Sequence, residues 1–356
     1  MALRVIQWST GNVGRSALRC IIRHPDLELV GVLVHSSDKV GTDAGDLCGL
    51  PPTGVLATDD VDSLMALGAD CVCYTATADL RPMEALADMA RILASGANVV
   101  SSSVVAGVWP DHIDPAMREP LERACREGGT SWFTSGIDPG WANDILPLLL
   151  TGTCEEVEHL RVMEIINYRH YEQPTVLFET MGFGQALDAK PLLLIPGVLT
   201  FAWGGVLRIL AAGLGVEIEE IREVHERRPA PARIDLGFGI VEEGTTAALR
   251  FEVQAIIDGE PRIVIEHVTR LDDDLCPDWP QPVGAGGYRV VVTGIPSYQC
   301  DIQLGGPPEL GDPGVVGTAG RIVNAIPAVC AAEPGLLSAL DLPFVPGRGV
   351  MRTGPR

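Results

Sequence analysis

The chain is predicted to be an α/β protein. An N-terminal doubly wound domain with a parallel sheet comes first, then an α+β domain of mainly antiparallel sheet, and a C-terminal helix returns to the first domain. Three observations predict this. Over the first 150 residues, short apolar segments alternate with helix-patterned ones, as βαβ units require. After Gly152, long strand patterns recur with little helix between them. The length, 356 residues, suits two domains. The expected divisions are 1–150, 151–315 and 316–356.

The elements follow in order. Leu3–Trp8 is an apolar first strand, not the charged-then-apolar build of a secretion signal. A helix over 14–23 ends near His24-Pro25. Residues 27–35, rich in valine and leucine, form the second strand. A helix over 61–67 and a strand over 69–75 come next. Pro82–Ala94 is a helix closed by Gly96, and 98–103 is a strand. A helix over 115–127 is closed by Gly128, and 130–134 is the fifth strand. In the second domain, 158–167, 249–258, 262–271 and 288–293 read as strands. Asp258-Gly259 is the turn of a hairpin. The acidic stretch 217–227 is expected as a helix. A last helix begins near Gly317-Thr318, and the tail 342–356 runs over the surface.

Composition narrows the function. Apolar residues are 46% and charged residues 21%, which is globular. Twenty-six lysines and arginines stand against 47 acids, a net charge of −21 with no basic run, so nucleic acid is excluded as the main partner. Nine scattered cysteines form no CxxC pair. They point to reduced thiols in the cytoplasm and to no metal site. Residues 191–216 carry one charge, Arg208. Pro196-Gly197 and Gly204-Gly205 interrupt them, so they read as a buried helix or a dimer contact rather than a membrane span.

The first strand runs into Ser9-Thr10-Gly11-Asn12-Val13-Gly14-Arg15. Set against GxGxxG, Ser9 replaces the first glycine, and Gly11 and Gly14 are kept. Gly11 lets the backbone approach a pyrophosphate, and Gly14 lets helix and strand pack closely. The amides that open the helix bind the anion. Strand before and helix after make this a dinucleotide site on a Rossmann domain, with Thr10 to Arg15 as its binding residues. The second strand ends His35-Ser36-Ser37-Asp38-Lys39 with no acid at its tip. His35, Ser36, Ser37 and Lys39 can donate to a 2′-phosphate, so NADP is expected, NADPH ahead of NADH. The third strand's end, Thr75-Ala76-Thr77, lies where the cofactor crosses a doubly wound sheet.

The loop from Val40-Gly41-Thr42-Asp43 to Gly49, the turn at Gly11 to Arg15, and Glu164-Ile165-Ile166 resemble those of dihydrodipicolinate reductases. Gly136-Ile137-Asp138-Pro139-Gly140-Trp141, Gly294-Ile295-Pro296-Ser297 and Asn324-Ala325-Ile326-Pro327 resemble the branch that holds 2,4-diaminopentanoate dehydrogenase and the native amine dehydrogenases. The resemblance implies a nicotinamide in a cleft between two domains, Asn324 on the cofactor side, and a homodimer. It departs in two places. Arg169 and Gln173 replace a histidine and a lysine of the reductases, and the DAPSGTA run is absent, so lysine biosynthesis is not expected. The amine dehydrogenases place a glutamate after the fourth strand, where this chain has Ser101-Ser102-Ser103-Val104-Val105-Ala106-Gly107.

Candidates for the remaining proton chemistry are His170 and Tyr168, expected on one face of a continuing strand with Tyr171 on the other. Trp141 is a candidate pocket wall, and Thr318, expected to open the last helix, a cap or substrate contact. The expected activity is an NADPH-dependent interconversion of a small, mainly apolar ketone or aldehyde and its amine, with ammonia as co-substrate. A ketone or imine reductase that does not use ammonia, and a non-catalytic NADP-binding sensor, are the alternatives.

Overall fold

The computed structural model describes residues 2–78 and 81–351. It divides into two compact units, Met1–Trp141 with Pro307–Arg356, and Ala142–Gly306.

The first unit opens with β1 (Leu3–Trp8), α1 (Asn12–Arg23) and β2 (Leu27–Leu33). Next come α2 (Ala44–Cys48), the two-residue β3 (Ala57–Thr58), α3 (Val61–Met65), β4 (Cys71–Tyr74) and α4 (Pro82–Ala94). β5 (Asn98–Ser101), α5 (Pro115–Gly128) and β6 (Ser131–Thr134) complete this part. Asp114 caps α5 by accepting from the Ala116 amide at 2.8 Å, and Gly129, not Gly128, takes the left-handed closing conformation with φ of 65°.

The second unit begins with α6 (Ile145–Thr151), which packs on elements of that unit, so the division falls ahead of the expected 150/151. β7 (Glu156–Asn167), α7 (Val198–Leu214), β8 (Glu220–Pro229), and the short pair β9 (Ile234–Asp235) and β10 (Ile240–Val241) follow. β11 (Thr246–Ile257), β12 (Glu260–Arg270), β13 (Gly286–Ile295) and β14 (Tyr298–Gln303) end the unit. The chain then returns to the first unit with α8 (Pro313–Ala331) and β15 (Gly335–Leu337).

The first sheet is parallel throughout, in the order β15-β6-β5-β4-β1-β2-β3, so strand order reverses between β1 and β4. Both faces are buried. Val5, Cys71, Cys73, Val100 and Phe133 join residues of α1 and α8 on one face. Ile6, Trp8, Val72, Tyr74 and Trp132 join residues of α4 and α5 on the other. Two covered faces explain the unbroken apolar strand sequences. Among the described residues α8 alone is long and apolar enough to cross a bilayer. Six of its residues are buried, several in the core against α1, which is the pattern of a core helix.

The second sheet is mixed, in the order β14-β13-β7-β12-β11-β8, with β7 and β12 its parallel pair. Asp258 and Gly259 turn the β11–β12 hairpin with φ of 51° and 75°, as a primed turn requires. The expected helix over 217–227 is instead β8, an edge strand paired with β11. Its glutamates and arginines favour a helix locally, but pairing with β11 wins, and the same charges guard the open edge. The nearly uncharged segment 191–216 forms α7, a 17-residue helix packed on β8, β11 and β12 with Val206, Leu207, Ile209 and Leu210 buried.

The sheet face away from α7 holds an ion network. Glu266, fully buried, accepts from Arg250 Nε at 2.7 Å and from Arg161; Glu252 accepts from Arg161 at 2.8 Å, Arg250 at 3.1 Å and Gln254 at 2.6 Å. Burial pushes the Glu252 carboxyl up, but the hydrogen bonds and charges of Arg161, Gln254 and Arg250 outweigh it and hold the pKa below the usual 4.5. A carboxyl depressed in the folded state contributes stability above its unfolded pKa and loses it as pH falls through the folded value. Urea midpoints are therefore expected to stay level near neutral pH and to drop once pH passes below about 4.5. In Glu252→Gln that drop should be shallower.

Candidate active site

The dinucleotide loop is built from the end of β1. Ser9 stands in the left-handed region with φ of 79°, the conformation for which glycine is usually kept. The chain secures it. Gln7 Nε2 donates to Ser9 O and to Thr75 Oγ1, both at 2.8 Å, and the Thr75 hydroxyl donates to Trp8 O at 3.0 Å. Thr75 thus braces the turn. A Cβ on Gly14 would stand 2.3 Å from Ser9 O and 2.9 Å from Thr75 Oγ1, so only glycine lets α1 start this close to the strand. At Gly11 a Cβ would meet no atom of the described residues within 4 Å.

Among the described residues no side chain caps α1, and the amides of Asn12, Val13 and Gly14 have no carbonyl behind them in the helix. An exposed glycine before uncapped amides fits a pyrophosphate. Arg15 is exposed on the first turn, Val13 is half-buried and Thr10 is buried. Lys39 Nζ reaches back to Thr10 O and Oγ1, each at 3.3 Å. His35, Ser36 and Ser37 are exposed just beyond β2, and no carboxylate stands at its tip. Ala76 is buried and Thr77 exposed after β4. These residues fit a dinucleotide.

Thr318 does not open α8. That helix starts at Pro313, with Asp312 accepting from the amides of Gly314 and Val315 at 2.8 and 3.2 Å. The Thr318 hydroxyl instead accepts from Ile137 N at 3.1 Å and pins the loop after β6. In that loop the Trp141 amide donates to Gly136 O at 2.9 Å, and Gly140, at φ of 145°, has no room for a Cβ against Gly136. Trp141 is half-buried, and Asn324 is half-buried on α8.

In the second unit β7 ends at Asn167. Tyr168 to Tyr171 form a turn, closed by Tyr171 N donating to Tyr168 O at 3.0 Å, so the expected strand alternation of Tyr168 and His170 does not hold. His170 is exposed on that turn. The Tyr168 hydroxyl donates to Glu164 Oε1 at 2.9 Å.

Glu164, which its residue type predicts to be exposed, is buried. Strand register explains its company. Phe251 of β11 pairs with His267 of β12, His267 with Glu164 of β7, and Glu164 with Tyr288 of β13. Cross-strand partners share a face, so the four stand in one row. Tyr288 donates to Glu164 Oε2 at 3.1 Å, and His267 Nδ1 lies 3.4 Å from Oε1. His267 stacks on Phe251, ring centroids 4.6 Å apart, with Trp203 of α7 edge-on at 4.7 Å. A cavity of about 420 Å³ lies toward the other end of β7, lined by residues including Glu156, His159 and Leu214 and by none of this row.

Comparison with known proteins supports a nicotinamide-dependent reading. Residues 141–352 match the model of the 2,4-diaminopentanoate dehydrogenase C-terminal domain, and residues 5–101 that of the dihydrodipicolinate reductase N-terminus. The sequence is 45% identical to an amine dehydrogenase of Streptomyces virginiae, over 98% of each chain. It is 26% identical to the 2,4-diaminopentanoate dehydrogenase of Acetoanaerobium sticklandii, over 96% of this chain and 93% of that one. The fold resembles the amine dehydrogenase structure from Mycobacterium smegmatis, with a TM-score of 0.76, 20% identity and 98% of each chain covered.

Proposed function

The chain belongs to the family of the amine dehydrogenases and 2,4-diaminopentanoate dehydrogenase, and from that premise we propose that it interconverts a small, mainly apolar ketone or aldehyde and its amine, with ammonia as nitrogen donor and NADPH preferred to NADH. The observation that carries the reading is the turn from Ser9 to Gly14, with an exposed glycine and uncapped helix amides for a pyrophosphate. When bound, the nicotinamide supplies or accepts the hydride; the chain's own residues bind and orient it. The NADPH preference rests on Lys39, His35, Ser36 and Ser37 and on the acid-free tip of β2. Unpaired cysteines are consistent with a cytoplasmic site, and the charged sheet face away from α7 with a homodimer.

Two titrations test the cofactor part. NADPH is expected to bind more tightly than NADH, and Lys39→Ala to weaken NADPH about tenfold while leaving NADH nearly unchanged. Equal affinities in the unmodified protein would remove the preference. Reduction of NADP by small primary amines tests the chemistry in the oxidative direction.

A further inference from the structure

Carboxylates buried in the second sheet are treated in two ways. On the face away from α7, Glu252 and Glu266 are neutralised by Arg161 and Arg250. On the other face, the Glu164 side chain is 9% exposed and touches two phenols and the imidazole of His267, which carries a charge only when protonated; among the described residues no guanidinium or ammonium pairs with it. An ionised carboxylate taken out of water is costly unless a counter-charge joins it. Hydroxyl donors fix both oxygens of Glu164 in place but bring no charge. Aromatic rings frame the spot: Tyr171 packs on Tyr168 at 4.6 Å, Phe251 stacks on His267, and Trp203 closes from α7. Rings around a carboxylate suit a cationic nitrogen with an apolar body.

We propose that Glu164 is the carboxylate that receives the substrate's nitrogen and handles its proton. The inference rests on the amine-forming reading above. Glu164 takes a proton from ammonium, and the freed lone pair attacks the carbonyl carbon. As the carbinolamine forms, one N–H proton moves to the former carbonyl oxygen. Glu164 returns its proton to that hydroxyl, the C–O bond breaks and water leaves. The iminium that remains is paired with the carboxylate. Hydride addition then gives the neutral amine, which takes its last proton from solvent. Tyr168, Tyr288 and His267 are positioning residues that hold the two oxygens. The substrate class follows from charge: ketones and amines without a carboxylate beside the reacting carbon are accepted, and 2-oxo acids are repelled.

The test is Glu164→Gln, which keeps the shape and removes the charge. Ammonium-dependent turnover is expected to fall at least ~100-fold, in the range of lost acid–base catalysis. Affinity for NADPH should be unchanged. Calorimetry on the NADP complex should show cyclohexylamine bound at least ~10-fold more weakly, and cyclohexanone within about twofold of the unmodified protein. Glu164→Asp, which keeps the charge, should bind the amine better than Glu164→Gln does. Tyr288→Phe should raise KM for ammonium more than it lowers kcat. Full turnover or unchanged amine affinity in Glu164→Gln overturns the assignment. Ketone reduction by the unmodified protein that ignores ammonium would overturn the amine reading instead, and the two failures are told apart by which protein shows them.

Discussion

Gly14→Ala is expected to abolish NADPH binding and to destabilise the fold by about 2–3 kcal/mol, the scale of forced overpacking. The added methyl would stand 2.3 Å from a backbone oxygen, Ser9 O, and 2.9 Å from Thr75 Oγ1, neither of which is the loose end of a flexible side chain. Helix α1 would have to withdraw from β1, and its opening amides with it. Gly11→Ala makes the contrast. Its methyl meets no atom of the described residues within 4 Å, so thermal stability should hold while NADPH affinity falls, because the methyl fills space the pyrophosphate needs. Differential scanning fluorimetry and cofactor titration on the two variants separate packing from binding. Equal behaviour of the pair would break the account of this turn.

Glu266→Ala is expected to cost about 3 kcal/mol, the lower end for breaking a buried ion pair. Its carboxylate, 1% exposed, binds both Arg161 and Arg250, which are 27% and 31% exposed. Removing it leaves two guanidiniums facing each other with Glu252 as their remaining acid. Partial exposure lets water relieve some of the repulsion, hence the lower figure. Urea unfolding should show a reduced midpoint with little change in slope. A loss under about 1 kcal/mol would mean that the network contributes no more than a surface pair.

The first unit was legible because its strands are buried on both faces and read as apolar runs separated by helices. The glycine turn and the Asp258-Gly259 hairpin were legible because their geometry demands particular residues. β8 was not, since Glu220, Arg222, Glu223 and Arg227 are good helix formers and only pairing with β11 makes them a strand. Tyr168 and His170 were assigned by extending β7 past Asn167, where the chain turns. For Glu164 the residue type alone predicts exposure, and the structure buries it instead. A signal was available: it is a lone charge inside Val162-Met163-Glu164-Ile165-Ile166, and a charge inside a buried apolar run is seldom idle. Its partners were beyond reach, because His267 and Tyr288 meet it through cross-strand register, which sequence spacing does not reveal.

In the proposed reaction the protein joins ammonia to a carbonyl compound and reduces the product. The direct measurement is NADPH consumption, followed by nicotinamide absorbance, with small apolar ketones in the presence and absence of excess ammonium. Consumption is expected to require both ketone and ammonium, with the primary amine as product. Consumption at the same rate without ammonium, yielding the alcohol, would contradict it.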